Sequence, residues 1–298
     1  MTAPTINDLY GVPVPLIAPG SPEWLQVVSA SKVAAVLGLS PYESRFSLYH
    51  RMRGTVPAEA DTDLTRRGHY LEPAIRAWFA DEHPDWTVQT TGSWRHPQRT
   101  WQTASPDWLV LLGDGVIEGF EAKSAIGDEE WGEDGSDQVP PGVRAQVLWQ
   151  MDTIGTRRTH VAVLTAFLEF RSYVIDYDAD EAAAIVASCD AFLTDVRDGR
   201  QPDIDAHNQT YVTLRELHPD IDDVKVELPM RIADGYRGAL EACKEAEAAK
   251  RLATSLVADV MGTARRAHDP LGEPVAIRVP GRGDNPPFIR PARTGSPS

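Results

Sequence analysis

The strongest constraint on the fold lies in the middle of the chain, where the sequence has the two-residue period of β-strands. Trp108 to Leu112 and Val116 to Lys123 are rich in β-branched and aromatic residues, as strands require. Gly113-Asp114-Gly115 predicts a tight turn between them, so the two segments should form a hairpin. Amphipathic helical patterns flank it, from Leu64 to Glu82 and after Pro140-Pro141. The sequence therefore predicts an α/β fold with a mixed central sheet flanked by helices.

The rest of the chain suggests two regions. Residues 1–22 are rich in proline and predict an extended lead-in. His160 to Leu168 and Phe170 to Ile175 predict a second strand pair, followed by a helix from Asp178 to Val196. After Pro202 the composition shifts to a long Ala/Glu/Lys-rich helical pattern. We expect one domain over residues 1–205 and a helical C-terminal extension with a flexible tail over residues 206–298.

Composition excludes several classes of protein. The 298 residues include two cysteines, which excludes a disulfide framework and any four-cysteine cluster, iron–sulfur clusters included. No apolar stretch approaches the ~20 residues that span a bilayer. The first residues lack a basic region followed by an apolar one, so we expect no signal peptide. We therefore expect a cytoplasmic protein with no membrane partner.

The charge of the chain is strongly acidic. The formal net charge is −15, which weighs against binding to nucleic acid because phosphate contacts supply most of that affinity. Six acidic residues and no basic one lie between Gly127 and Gln138. This segment predicts a mobile, solvated loop that stays away from phosphates and from any metal.

Residues with chemical potential cluster on the predicted hairpin. Thirteen residues separate Pro106-Asp107 from Glu121-Ala122-Lys123. Because side chains alternate along a strand, Glu121 and Lys123 should point to one face, and the turn brings Asp107 back beside them. Two carboxylates at one edge of the sheet suit a hard cation such as Mg²⁺. Lys123 could orient or help deprotonate a water there, although two acids and a lysine on an exposed hairpin are also commonplace.

Two further polar residues lie on the flanking helices. Glu72 falls between Leu71 and Ile75, near the border of the apolar face of its helix. Gln146 and Gln150 lie one turn apart on the helix opened by the two prolines. Each of these is also compatible with ordinary helix-surface polarity.

Taken together, these motifs resemble a known family. The run from Ser29 to Tyr42, then Leu48-Tyr49 and Gly54, is similar to the opening signature of the YqaJ-like viral recombinase nucleases. That family includes the alkaline exonuclease of phage lambda and belongs to the PD-(D/E)XK superfamily. The later motifs follow in the family's order: Gly68-x-x-Leu71-Glu72-Pro73, Pro106-Asp107, Glu121-Ala122-Lys123 and Gln146. The resemblance covers roughly residues 20–200.

The resemblance assigns roles to residues. It implies that Asp107 and Glu121 bind Mg²⁺, or Mn²⁺ in its place, together with the Ala122 carbonyl. Glu72 would hold the metal or its water from the helix side, Lys123 would serve the nucleophilic water, and Gln146 would support Lys123. Ser31 would contact the 5′-phosphate of DNA, although it is equally suited to capping its helix. The family usually has an arginine shortly before this serine, and residues 24–28 contain none, which leaves strand polarity open.

The resemblance implies a metal-dependent exonuclease that degrades one strand of linear duplex DNA, 5′ to 3′, for recombination by single-strand annealing. It also implies DNA ends as substrate, a ring-like homo-oligomer and an annealing protein as partner. Two alternatives stay open. One is a non-catalytic DNA-end-binding or scaffold protein on a nuclease fold, which the acidic charge favours. The other is a sequence-specific endonuclease of the same superfamily.

Overall fold

The computed structural model describes residues 9–57, 62–113, 115–127 and 129–292. The chain forms two compact units, Met1–Ile221 and Asp222–Ser298. The helices of the first unit are α1 (Ala30–Val36), α2 (Arg45–Met52), α3 (Asp63–Glu82), α4 (Pro141–Ile154), α5 (Ala179–Asp198) and α6 (Asn208–Leu217). Its strands are β1 (Val12–Val14), β2 (Val28–Ser29), β3 (Thr87–Thr90), β4 (Ser93–Arg95), β5 (Gln102–Ala104), β6 (Trp108–Leu111), β7 (Ile117–Ser124), β8 (Arg158–Leu164) and β9 (Phe170–Asp176).

The predicted mixed sheet is confirmed. Five strands lie in the order β3-β6-β7-β8-β9, with β7 and β8 parallel and the other pairs antiparallel. The β6–β7 hairpin closes where Leu112 donates its backbone N–H to the Val116 carbonyl at 3.0 Å. Asp114, at the tip of the predicted turn, lies outside the described residues. β7 is the middle strand, so the residues expected at one edge of the sheet lie instead at its centre.

The two faces of β7 bury different neighbours. Phe120 and Ala122 belong to an apolar cluster beneath α3, where the Phe120 and Phe79 rings lie 4.4 Å apart. Glu121 and Lys123 point the other way, toward α4, as the predicted alternation requires. A larger core on the α4 side is formed with residues of α1, α2 and α5.

A second, smaller sheet connects the N-terminal segment to α4. Its order is β1-β4-β5-β2, and the Trp149 indole N–H donates to the Thr103 carbonyl at 2.9 Å. The proline-rich lead-in over residues 1–22 predicts a loosely held segment, and this is wrong for residues 11–14. β1 pairs with β4, and Gly11 donates its N–H to the Ile154 carbonyl. Pro13 is tolerated because β1 is an edge strand.

Helix α6 extends the first unit beyond the predicted boundary at Asp205. The Thr210 hydroxyl is buried and hydrogen-bonds the Ser44 hydroxyl at the N-terminus of α2, 2.7 Å away. α6 therefore packs within the first unit, which continues to Ile221.

The second unit contains the predicted long helix, α7 (Met230–Met261), and a sheet that the sequence analysis did not anticipate. Strands β10 (Arg266–His268), β11 (Pro274–Val279) and β12 (Phe288–Pro291) form an antiparallel sheet in the order β10-β11-β12. The extension, which was predicted to be helical, therefore also contains β-strands. Residues 293–298 of the predicted flexible tail lie outside the described residues.

Among the described helices, none combines the length and the apolar composition needed to cross a membrane.

Gly119 sets the spacing between the central strands and offers a test of the fold. A Cβ at Gly119 would lie 2.5 Å from the Thr159 hydroxyl on β8. We expect Gly119→Ala to destabilise the protein by about 1–3 kcal/mol, because overpacking forces the strands apart. Thr159→Ala removes the clash and should restore much of that loss in the double variant. Chemical denaturation of all four proteins measures this coupling, and strict additivity of the two changes would contradict it.

Candidate active site

The Glu121 carboxylate is the most enclosed charge of the site. Its side chain is 3% exposed, and it accepts hydrogen bonds from three neighbouring side chains. Lys123 Nζ and Gln146 Nε2 each lie 2.6 Å from Oε1, and Gln150 Nε2 lies 2.9 Å from Oε2. A buried carboxylate is costly unless it is paired and hydrogen-bonded, and these donors satisfy both of its oxygens.

Asp107 reaches the same site from the start of β6. The ladder between β6 and β7 ends at the Trp108–Phe120 pair. Continued register would place Pro106, which has no N–H, opposite Ala122. The Asp107 carboxylate instead accepts the Ala122 backbone N–H at 2.8 Å. The strand pairing therefore ends at Pro106, and the Asp107 side chain forms the next hydrogen bond to β7.

The electrostatics around Asp107 oppose its ionisation. Burial and the neighbouring Glu121 carboxylate raise the pKa of Asp107 to about 8. Lys123 and the Ala122 N–H act in the opposite direction, and Glu72 adds a smaller upward contribution. The two carboxyl groups thus lie close enough for the charge of Glu121 to oppose the ionisation of Asp107, as in sites where two carboxylates share a cation.

Lys123 is held as an ammonium group. Burial lowers the pKa of Lys123, but the Glu121 and Asp107 carboxylates outweigh it and the pKa is raised overall. Its Nζ also donates to Gln146 Oε1 at 3.1 Å. Lys123 therefore acts here as a hydrogen-bond donor and positive charge, which favours orienting a water over removing its proton.

Glu72 joins the site electrostatically. It lies half-buried on α3, and its carboxylate influences the pKa of both Asp107 and Lys123. The structure thus brings Glu72, Asp107, Glu121, Lys123 and Gln146 into one neighbourhood. Within the described ranges, no group of three or more His, Cys, Asp or Glu side chains is arranged to hold a metal ion by itself.

Gln150 is the functional residue that sequence reasoning did not assign. It is 2% exposed and holds the second oxygen of Glu121. Its spacing of four residues from Gln146 was the available signal, because residues one turn apart share a helix face.

Ser31 lies on the surface of the first unit. It is exposed in the first turn of α1, and its hydroxyl lies 3.0 Å from that of Ser29. Ser29 is the N-cap residue, and its side chain makes no capping hydrogen bond. The assignment of Ser31 to a DNA phosphate stays a prediction.

The acidic segment was predicted to be a mobile, solvated loop. Its described acidic residues are exposed, as predicted, and its mobility stays a prediction. Its second half runs along β9: Ser172 donates its backbone N–H to Asp134 Oδ1 at 2.7 Å, and Val174 donates to the Ser136 carbonyl at 3.2 Å. Tyr173 donates its hydroxyl hydrogen to the Gly132 carbonyl. Asp128 lies outside the described residues. That Asp128, Glu129 and Glu133 stay off a catalytic ion remains a prediction.

The donor set suits a hard divalent cation. Asp107 and Glu121 present carboxylate oxygens, the ligands that Mg²⁺ prefers. The raised pKa of Asp107 indicates a carboxyl group that lacks a balancing positive charge. A bound cation would supply that charge and favour ionised Asp107.

Comparison with protein families assigns this region. The family model described as "YqaJ-like viral recombinase domain" matches residues 23–157. The chain carries a YqaJ-like viral recombinase domain. The match contains all the predicted site residues, from Ser31 to Gln146, and is shorter than the expected span of 20–200. A comparison with curated proteins finds no match.

Solved structures with lower similarity accompany the family match. The alkaline exonuclease from Laribacter hongkongensis is 22% identical, covers 59% of this chain and 90% of its own, and has a TM-score of 0.44. A phage related exonuclease from Haemophilus somnus 129PT is 10% identical, covers 58% of this chain and 96% of its own, and has a TM-score of 0.43. The assignment of the YqaJ-like domain rests on the family model.

The raised pKa of Asp107 predicts a pH-dependent stability of the metal-free protein. Folded Asp107 keeps its proton up to about pH 8, whereas in the unfolded chain it ionises near pH 4. The stability contributed by the protonated form is complete below about pH 4 and lost as pH rises through about 8. Asp107→Asn cannot ionise and can still accept the Ala122 N–H. In EDTA, we expect it to gain about 2 kcal/mol or more over wild type between pH 5 and pH 9.

Denaturant unfolding at the two pH values measures this difference, with Glu169→Gln at the exposed β8–β9 turn as the control. A gain for Asp107→Asn that is the same at pH 5 and pH 9 would contradict the electrostatic account.

Proposed function

We propose that this protein is a divalent-metal-dependent deoxyribonuclease that degrades one strand of linear duplex DNA from an end. The observation that carries the proposal is the convergence of Asp107, Glu121 and Lys123 on the middle strand of a YqaJ-like domain. Two carboxylates with an adjacent ammonium group match the chemistry of phosphodiester hydrolysis.

Asp107 and Glu121 are the residues that would hold Mg²⁺, or Mn²⁺ in its place, with the Ala122 carbonyl and Glu72 completing the set. A divalent ion bound there polarises a phosphoryl oxygen and acidifies water. Because Glu121 Oε1 and Oε2 are hydrogen-bonded to α4 and Lys123, its carboxylate is fixed in position before substrate arrives.

Lys123, Gln146 and Gln150 would supply the other functions of the site. The Lys123 ammonium would orient the attacking water and stabilise charge that develops on the phosphate. Gln146 accepts a hydrogen bond from Lys123 Nζ and donates one to Glu121 Oε1, so it would hold both groups in position. Gln150 supports Glu121 from the far side of the carboxylate.

The structure disfavours the scaffold alternative. Burial and the neighbouring Glu121 carboxylate raise the pKa of Asp107, so ionised Asp107 is unfavourable at neutral pH without a nearby cation. A protein that only bound DNA ends would have no use for this arrangement. The endonuclease alternative predicts cutting of closed circular duplex, which an end-dependent enzyme does not attack.

Several finer features belong to the same proposal. We assign 5′-to-3′ polarity with Ser31 near the 5′-phosphate, action in the bacterial cytoplasm as a phage or prophage protein, and a single-strand annealing protein as partner. A ring-shaped homo-oligomer around DNA completes the proposal. These features follow from the family resemblance.

Metal dependence gives the first test. With 5′-labelled duplex DNA, we expect Mg²⁺ or Mn²⁺ to support degradation of linear but not circular molecules, because the ligands are all oxygen. We expect Ca²⁺ not to support it, because Ca²⁺ is larger and binds with a higher and less regular coordination. The comparison of linear and circular DNA separates exonuclease from endonuclease. Undiminished cleavage in excess EDTA would sink the metal mechanism.

Separate roles for lysine and carboxylates give the second test. Lys123→Ala should lower turnover by about 10²–10⁴-fold while Mn²⁺ binding by calorimetry stays nearly intact, because Lys123 acts on water. Asp107→Ala and Glu121→Ala should lose both activity and metal affinity. Asp176→Asn, which removes a surface ion pair with Arg158, is the control and should do neither. If Lys123→Ala keeps more than a few per cent of wild-type turnover, its role is wrong.

A further inference from the structure

Helix α7 has an apolar face that the other described residues of the second unit leave exposed. Among its 32 residues, Met261 alone is buried. Ile232, Leu256 and Val260 are between 50% and 88% exposed. An exposed apolar surface of this length marks a contact with another molecule.

The exposed residues follow a coiled-coil period along the whole helix. Nine positions spaced alternately by three and four residues contain no charged or polar side chain: Ile232, Gly235, Ala239, Ala242, Ala246, Ala249, Ala253, Leu256 and Val260. We call these nine residues the α7 seam. All nine are exposed, and the seam extends over about 42 Å at 1.5 Å per residue. Such a heptad pattern is the signature of packing against a second helix.

The glycines of α7 provide an independent indication. Gly235 lies in the seam and Gly238 beside it, and a Cβ at either position would meet no atom within 4 Å. Glycine is less favourable than alanine in the interior of a helix. Neither glycine is required by crowding in the described residues or by a positive φ. A close approach by another helix backbone would explain both.

We propose that α7 pairs with α7 of a second copy of this chain, antiparallel, through the α7 seam. Eight of the nine seam residues pair with one another when the two residue numbers of each pair sum to 488, and Val260 lies beyond the paired segment. Ile232 then faces Leu256 of the second copy, and Gly235 faces Ala253. Large residues meet large ones at both ends, while small ones meet at the centre, as the isologous contact of a twofold dimer requires.

Flanking residues favour this pairing at its ends. In an antiparallel coiled coil of this register, Arg231 lies beside Asp259 of the second copy, which gives opposite charges at both ends of the dimer. Gly238 lies beside Leu252 of the second copy, so the large leucine side chain has room to pack against the glycine. Near the twofold axis Glu245 meets its own copy, a like-charge contact that opposes the pairing.

The same register places Cys243 opposite Cys243 of the second copy at the axis. Cys243 is exposed, whereas Cys189 is buried and burial raises its pKa to about 12. Cys189 therefore cannot compete in thiol chemistry. A parallel pairing would instead place Cys243 beside Gly238. Oxidative cross-linking through Cys243 therefore distinguishes the antiparallel pairing from the parallel one.

Two matched variants of the full-length chain test the seam, without DNA and in EDTA. Ala249→Glu places a charge in the seam on both helices, and Ala248→Glu makes the same change at the adjacent exposed position outside it. By sedimentation equilibrium, we expect wild type and Ala248→Glu to associate equally and Ala249→Glu at least tenfold more weakly. Circular dichroism should show equal helicity in all three.

Mild oxidation of wild type should give a reducible dimer that Cys243→Ser abolishes and Cys189→Ser does not. A monomeric wild type, or equal weakening by both glutamate variants, overturns the pairing. Unchanged association with Ala249→Glu, as a partner of different sequence or the chain's own first unit would give, also overturns it. Association without the Cys243 cross-link overturns the antiparallel register. Because these measurements need no hydrolysis, they fail or succeed independently of the proposed nuclease activity.

Discussion

The burial of the Glu121 carboxylate is the constraint on which the site and much of the first unit depend. An ionised carboxylate removed from water is tolerated only with donors on both oxygens, and here two of the three come from α4. This requirement fixes the rotation of α4 about its own axis. With that rotation set, Trp149 reaches Thr103 in the smaller sheet, and α4 packs against α1. The hydrogen bonds of the candidate site and the packing of the core are therefore linked through α4.

Asp107 shows the opposite use of electrostatics. Glu121 is stabilised by its neighbours, whereas Asp107 is held where burial and the Glu121 charge disfavour its ionisation. The single hydrogen bond from the Ala122 N–H keeps it there. In the proposed metal-binding role, a bound cation would favour ionised Asp107. Without one, the unfavourable ionisation of Asp107 lowers the stability of the folded protein as pH rises.

The elements with strong periodicity were predictable, and those fixed by tertiary contacts were not. The β6–β7 hairpin, α3 and α4 carry patterns in the sequence itself, and so do Asp107, Glu121 and Lys123. β1 has three residues, one of them proline, and exists because β4 offers it an edge. α6 buries threonines, Thr210 and Thr213, so its inner face has no apolar period. The acidic segment is held by hydrogen bonds to the backbone of β9, which leave no mark on composition.

The net charge of −15 bears on how the two proposals relate. An acidic protein gains little from long-range attraction to DNA, so a single active site would leave a DNA end quickly. Pairing through α7 joins two copies of the YqaJ-like domain in one molecule. A strand released by one site is then at a high effective concentration for the other, without any new contact to DNA. Assembly through the second unit would thus compensate for the weak electrostatic attraction to DNA that follows from the acidic composition of the chain.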